Sequence, residues 1–283
     1  MKKILIAGKS SYVGTSFEEW MKQHSSEYKI DTIDLKDASW KEHDFSSYDS
    51  ILHLAAIVHR NETEDSLYYK VNRDLAYETA LKAKEAGVKQ FIFFSTVSVY
   101  GLNEGLITAT TPYIPQNAYG KSKYEAEKLL SELEDEQFRL VILRPPMVYG
   151  KNSPGNYLRL RKLALHWGLF PKVENSRSMI YIGNLCSFLQ LVIEQQLTGL
   201  FHPQNTEFVN TNEMIRQIRK NHGKGTAFAF KWLGSLVVEK LSISVLKKVY
   251  GDLKIDKEIS SFSLDYNAFS FSESIHLSEN GKE

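Results

Sequence analysis

The chain opens Met1-Lys2-Lys3-Ile4-Leu5-Ile6-Ala7-Gly8-Lys9-Ser10-Ser11-Tyr12-Val13-Gly14. Residues 3–7 are short, apolar and stopped by Gly8, which is the pattern of a fully buried strand. Residues 13–23 then take a helical pattern. A strand, a glycine-bearing turn and a helix form the first unit of a nucleotide-binding βαβ fold. The turn lets the backbone approach a pyrophosphate, and the helix N-terminus offers free N–H groups and a positive dipole. Gly8 and Gly14 fit that use. Ser11 stands where a middle glycine is expected, so the turn by itself also suits an ordinary loop.

The next segments extend the pattern. Residues 28–35 (YKIDTIDL) read as a second strand reaching Asp34, twenty residues beyond Gly14. A carboxylate there can accept hydrogen bonds from adenosine ribose hydroxyls, and it repels a 2′-phosphate. NAD is therefore expected over NADP, although Lys36 works against that preference. Residues 49–54 form a third predicted strand, followed by Ala55-Ala56, small enough to let a cofactor lie across the strand ends. Residues 64–87 read as a long helix stopped by Gly87. Residues 89–94 and 138–143 are further strands, running into Ser95-Thr96-Val97-Ser98 and Arg144-Pro145-Pro146. The alternation predicts an α/β fold: a Rossmann-like, doubly wound parallel sheet, with ligands beyond the carboxyl ends of its strands. Gly8, Asp34, Ala55, Thr96 and Pro145 all fall at those ends.

Residues 121–133 (KSKYEAEKLLSEL) are rich in helix formers, so a helix beginning near Tyr119 is expected. Tyr119 and Lys123, four apart, would share a face. A phenol titrates near about 10, and a neighbouring cation favours the phenolate. Lowering that value by about three units corresponds to about 4 kcal/mol. A tyrosine tuned this way can take a proton from an alcohol as hydride leaves the carbon. A surface helix with a tyrosine packed at its start has the same two residues, so the pair gains meaning only from the strand ends before it.

The 283 residues, 42% apolar and 24% charged, suit one large domain or two coupled lobes. A net charge of +1 gives no footprint for nucleic acid or a membrane surface. The first apolar run is too short for a secretory leader. The single cysteine, Cys186, excludes an intramolecular disulfide and a cysteine-based zinc site. A cytoplasmic location is the expectation. Past Gly150 the alternation weakens. A smaller mixed α/β substrate lobe is expected over residues 151–283 after a cofactor domain over 1–150, with about 179–203 returning to the sheet. Residues 227–250, containing Trp232, read as an apolar-to-amphipathic stretch, and the last thirty residues show no clear period.

These motifs, in order from Lys2 to about Leu185, resemble the extended short-chain dehydrogenase/reductases, in the NAD-dependent sugar-nucleotide epimerase/dehydratase group. The resemblance rests on the glycine turn, Asp34, residues 49–56 (DSILHLAA), Asn72, residues 95–101, Tyr119-x-x-x-Lys123, Arg144-Pro145 with Val148-Tyr149-Gly150, and residues 177–182. It implies Tyr119 as general acid/base, with Lys123 lowering its pKa and binding the nicotinamide ribose, and Thr96 on the reacting sugar oxygen. It implies that Tyr12 and Val13 meet the pyrophosphate, that Asp34 holds the adenosine ribose, and that Asp44 and Phe45 flank adenine. Leu54, Ala55, Ala56 and Ser95 line the cofactor, Asn72 supports the site, and Pro145 and Pro146 lie near the nicotinamide. Ser98, Met147 and Arg177 face the substrate, Arg177 on its diphosphate. A homodimer through the Tyr119 helix and the long helix is also implied.

The substrate side departs from the family pattern. Val97 and Ser98 replace the Asp-Glu pair of the 4,6-dehydratases, Met147 replaces a frequent Asn, and Gly183 replaces a frequent Asp. A dehydratase is therefore disfavoured. The leading expectation is an NAD-dependent 4-epimerase of a nucleotide sugar, most simply a UDP-sugar. The alternatives are a reductase of a 4-keto nucleotide sugar and a cofactor-binding protein without catalysis.

Overall fold

Six strands pair in parallel in a computed structural model that describes residues 1–24, 27–58, 64–229 and 251–280. They are β1 (Lys2–Ala7), β2 (Tyr28–Ile33), β3 (Ser50–His53), β4 (Gln90–Phe94), Arg139–Leu143 and Gly199–Phe201. From one edge the order is Gly199–Phe201, Arg139–Leu143, β4, β3, β1, β2. Every pairing is parallel. The order reverses at β1, with β2 on one side and β3 on the other, so the crevice for a ligand opens beyond Ala7 and His53. Ile4, Leu5, Ile6 and Ala7 are all buried, as a strand covered on both faces requires.

The helices of the sheet are α1 (Tyr12–His24), α2 (Asp65–Tyr69), α3 (Leu75–Glu85) and α4 (Ala118–Ser131). The single long helix expected over residues 64–87 is interrupted: Lys70–Asp74 widens into a π turn between α2 and α3. Such wide turns cluster at functional sites. Asn117 caps α4, its Oδ1 accepting from Gly120 N at 2.8 Å. An apolar layer of Leu5, Ile51, Ala76, Ala80, Phe91, Phe93, Leu130 and Ile142 joins helices to sheet.

The chain forms two compact units. The first comprises Met1–Gly101, Thr110–Pro145 and Cys186–Pro203; the second comprises Leu102–Ala109, Pro146–Leu185 and Gln204–Glu283. The second is built from strand pairs of three residues: Met147–Tyr149 with Met179–Tyr181, Gly105–Ile107 with Leu253–Ile255, and Leu169–Pro171 with Ala227–Ala229. Residues 277–280 close the helix Phe271–Asn280, where the sequence showed no period. Ser270 and Glu273 start that helix as a capping box: Ser270 N donates to Glu273 Oε2 at 2.9 Å and Glu273 N to Ser270 Oγ at 3.4 Å. Its Glu279 carboxylate accepts from Tyr157 Oη, Arg161 Nε and His222 Nε2, each at 2.7 Å. Of the stretch 227–250 read as amphipathic, residues 230–250, including Trp232, lie outside the described residues. No helix among the described residues is long and apolar enough to cross a membrane.

Candidate active site

At the β1 end, Gly8 has φ +139°, and a Cβ there would sit 2.7 Å from Ala55 N and 3.0 Å from the Leu54 carbonyl carbon. Only glycine lets β1 and β3 deliver their loops this close. Ser11 fills the place of the expected glycine with a function of its own: its Oγ accepts from Gly14 N at 3.2 Å and caps α1. A Cβ on Gly14 would meet Ser11 Oγ at 2.5 Å, and Ile6 Cγ2 and Leu54 Cδ1 at 3.1 Å. The turn, the start of α1 at Tyr12 and Val13, and the partly buried Leu54, Ala55 and Ala56 thus form a backbone cradle of the kind a pyrophosphate needs.

Asp34 follows β2, partly exposed. Its Oδ1 accepts from Lys36 N at 3.1 Å, and Lys36 Nζ lies 3.9 Å from Oδ2. Asp44 accepts from Ser46 N at 2.9 Å, and this bonding holds its carboxyl below the usual range. The Phe45 side chain is only 1% exposed, packed in the core beside Trp40. Its ring therefore has no free face for adenine, and only its backbone remains for that use.

Beyond β4, Thr96 caps the short 3₁₀ turn Val97–Tyr100, its Oγ1 accepting from Ser98 N at 3.1 Å and donating to Ser98 Oγ at 3.2 Å. Tyr119, the second residue of α4, hydrogen-bonds the Thr96 side chain, and its ring meets Tyr68 edge-on at 6.5 Å. Lys123 is 2% exposed. Its Nζ donates to Phe94 O at 2.7 Å and lies 4.5 Å over the Phe93 ring.

Tyr119 and Lys123 sit four residues apart on α4, and burial is the first influence on each. Burial raises the Tyr119 phenol above its ordinary value, the Thr96 hydrogen bond pulls it down, and Tyr68 adds to the rise. Burial brings the Lys123 ammonium down to about 7, with Glu127 opposing. The helical spacing is as anticipated, Lys123 turns inward to a strand carbonyl, and desolvation outweighs the Thr96 hydrogen bond at Tyr119 and the Glu127 charge at Lys123.

Asn72 sits in the π turn, fully buried. Its Oδ1 accepts from Ile57 N at 2.8 Å, and its Nδ2 donates to Ile57 O at 3.1 Å and to Ser122 Oγ at 3.2 Å. Ser122 Oγ in turn donates to Tyr119 O at 3.0 Å. The widened helix thereby clamps the loop after β3 to the first turn of α4. Two further residues belong to the cluster. Ser95 Oγ donates to Glu127, which is bound by Arg144. Glu127 had a signal in the sequence: it continues the Tyr119–Lys123 row by another four residues. Arg144 was visible only as part of a motif.

Pro145 ends the first unit's segment, while Pro146, Met147 and Arg177 belong to the second unit. There Arg177 pairs with Val209 through its backbone, and its Nη1 donates to Gly251 O at 2.9 Å. Its buried Nε has no partner among the described residues. Burial lowers its pKa, opposed by Asp252 and Glu104.

Residues 4–200 match the model of the NAD dependent epimerase/dehydratase family. An N-acetyl-α-D-glucosaminyl-diphospho-ditrans,octacis-undecaprenol 4-epimerase of Escherichia coli O157:H7 is 30% identical over 241 residues, 78% of this chain and 72% of the relative. A UDP-glucose 4-epimerase of Vibrio cholerae is 29% identical, over 73% of this chain and 68% of its own. Among solved structures, a UDP-glucuronic acid 4-epimerase from Bacillus cereus in complex with NAD superposes with a TM-score of 0.74 at 20% identity, covering 99% of this chain and 98% of that one. With the parallel sheet, the Gly8 cradle and the Thr96–Tyr119–Lys123 cluster, the match over most of the chain fixes its kinship: the protein is an enzyme of the NAD dependent epimerase/dehydratase family.

Proposed function

We propose that the protein is a 4-epimerase of a sugar carried on a diphosphate, most simply a UDP-sugar, with Tyr119 as the acid/base. The observation that supports this most is the Tyr119 hydroxyl hydrogen-bonded to Thr96, with Lys123 buried one turn away on α4. NAD, when bound, supplies the group that accepts and returns hydride. Gly8, Gly14 and the first turn of α1 would hold its pyrophosphate, Asp34 its adenosine ribose and Lys123 its nicotinamide ribose. Tyr119 takes the proton from the sugar hydroxyl as that carbon loses hydride, and gives it back when hydride returns to the opposite face. Thr96 holds the reacting oxygen. Val97 and Ser98 place no carboxylate beside Thr96, so elimination of water has no acid/base pair there. The Arg177 Nε, buried and without a partner among the described residues, suits a diphosphate oxygen, which a nucleoside carrier and a polyprenyl carrier have in common.

A reductase of a 4-keto nucleotide sugar is the second reading. It draws on Lys36, whose charge beside Asp34 offsets the repulsion of a 2′-phosphate. We place the enzyme in the cytoplasm, as a homodimer through α4 and the α2–α3 helix. Light scattering tests the dimer. The function is tested by following 340 nm absorbance and product configuration with UDP-sugars, and with a polyprenyl-diphosphate sugar, without added cofactor. Epimeric products with no net change in cofactor support the proposal. Turnover that consumes added reduced cofactor in stoichiometric amount selects the reductase. Absence of any turnover, with Tyr119→Phe indistinguishable from wild type, removes catalysis from consideration.

A further inference from the structure

Glu127 stands one helical turn beyond Lys123 on α4 and is 4% exposed. Its Oε1 accepts from Ser95 Oγ and, at 3.0 Å, from Arg144 Nε; its Oε2 accepts from Arg144 Nη2 at 2.5 Å. Ser95 immediately precedes Thr96, and its N donates to Leu143 O at 2.8 Å. Arg144 Nη1 continues to Tyr100 Oη at 2.8 Å, which meets His202 Nε2 at 2.7 Å. One carboxylate thus joins the helix carrying Tyr119 and Lys123 to the loop carrying Thr96 and to the end of strand Arg139–Leu143. Replacing a buried ion pair with apolar side chains of similar volume is often neutral or stabilising. Stability alone therefore does not account for this pair, whereas its place beneath the reacting groups does.

We propose that Glu127 is a positioning residue: through Ser95 it sets Thr96 against Tyr119, and from one turn beyond Lys123 on α4 it sets a carboxylate on the Lys123 side of the helix, while it touches neither cofactor nor sugar. The inference rests on the reading of Lys123 as a cofactor ligand. The charged and titratable groups facing this cluster are His53 on β3, Tyr68 on α2, Tyr119 and Lys123 on α4, Tyr100 after β4, Tyr113 before α4, Arg144 after Leu143 and His202 after Phe201. Burial keeps His53 neutral, bringing its imidazole down to about 3. Arg144 remains charged: burial works against its charge, and Glu127, Tyr100 and Tyr113 together outweigh it. Glu127 is the carboxylate set against the desolvation of Lys123.

The test uses cofactor-free protein with ¹³C-labelled lysines, followed by NMR from pH 5.5 to 10, the Lys123 signal being assigned by its loss in Lys123→Met. Glu127→Gln combined with Arg144→Met removes both charges together, so that no uncompensated ion is left behind. In that variant the Lys123 midpoint falls by about one pH unit. NAD affinity then drops about tenfold at pH 8 and less than twofold at pH 5.5, because Lys123 is charged in both proteins at the lower pH. An unmoved midpoint, or an equal loss of affinity at both pH values, overturns the proposal, since a merely structural role would act the same at any pH. Arg144→Met alone keeps the carboxylate and frees it toward Lys123, so the midpoint must hold or rise; a fall overturns the proposal even if the double variant does not fold. If Lys123→Met binds NAD as wild type does, the cofactor role of Lys123 fails, while the NMR midpoint still decides whether Glu127 sets its charge.

Discussion

At Glu127 the buried face of α4 carries a carboxylate answered on both oxygens by Arg144 and Ser95, whereas one turn earlier the same face buries Lys123 against a carbonyl and an aromatic ring. Both are charged side chains nearly out of contact with water. One is neutralised by a bidentate partner, the arrangement that best offsets desolvation. The other has only the already paired Glu127 as its carboxylate, burial prevails, and its proton affinity falls. Ionisable groups are tuned away from their ordinary values where chemistry is done, and fixed in place where geometry must be held. The Lys123 end is thus expected to govern activity and the Arg144 end to govern stability, and substitutions at each end separate the two.

The largest effect belongs to the first end. Tyr119→Phe lowers turnover about a thousandfold, the usual scale for removing a positioned acid/base, with NAD affinity retained. Its stability moves by about 1 kcal/mol, the worth of the lost Thr96 hydrogen bond. Steady-state rates and urea unfolding of the same preparation check both halves. The second end reverses the ledger. Arg144→Met leaves the Glu127 carboxylate buried without its partner and lowers stability by about 3–5 kcal/mol in urea unfolding. A loss below about 1 kcal/mol would mean that water reaches Glu127 and that the two ends do not differ as described.

The contrast also explains what could be read from the sequence. The first unit was legible because each strand is a short apolar run closed by a turn residue, and because function sits where strands end. Gly8, Asp34, Ala55, Thr96 and Pro145 needed only that rule, and Tyr119 needed its four-residue spacing to Lys123. The second unit resisted because its strands, such as Gly105–Ile107 and Leu253–Ile255, are three residues long and pair across more than a hundred residues of chain. No window of sequence carries a period that short. The helix Phe271–Asn280 went unread as well, although Ser270 and Glu273, three apart, carry the pattern of the capping box that starts it. Within the site, spacing placed Tyr119 and Lys123 on one face but could not weigh burial against charge. That balance depends on Phe93, Phe94 and His53, which only the fold brings beneath α4.

Lys123→Met turns this balance into a pH signature. Folded Lys123 titrates near 7 against an ordinary 10.5. Below pH 7 the fold therefore holds an ammonium in a poor environment. Between about 7 and 10.5 the unfolded chain keeps a proton that the folded chain has released, so this residue's contribution to stability rises with pH across that window. Lys123→Met is expected to stabilise the protein by about 2 kcal/mol or more at pH 6, and the gain shrinks as the pH approaches 10. Unfolding curves at both pH values check it. A gain independent of pH would show that packing, and not the buried charge, is what the substitution repairs.

The exposed pair Asp34–Lys36 marks the weak limit of the same comparison. Here too a carboxylate meets a cation beside the cofactor cradle, but the contact is 3.9 Å and the lysine side chain is 85% exposed. Water and salt screen such a pair, leaving it under about 1 kcal/mol. Lys36→Ala leaves the Asp34 carboxylate unopposed, so preference for NAD over NADP rises by about two- to fivefold, with no change in stability. The increase disappears in high salt, where the screening length contracts. A shift well beyond tenfold that survives salt would mean that Lys36 grips a 2′-phosphate directly. In that case the reductase reading, with NADPH as its reductant, gains over the epimerase, and the cofactor end of the site is more selective than its exposed geometry implies.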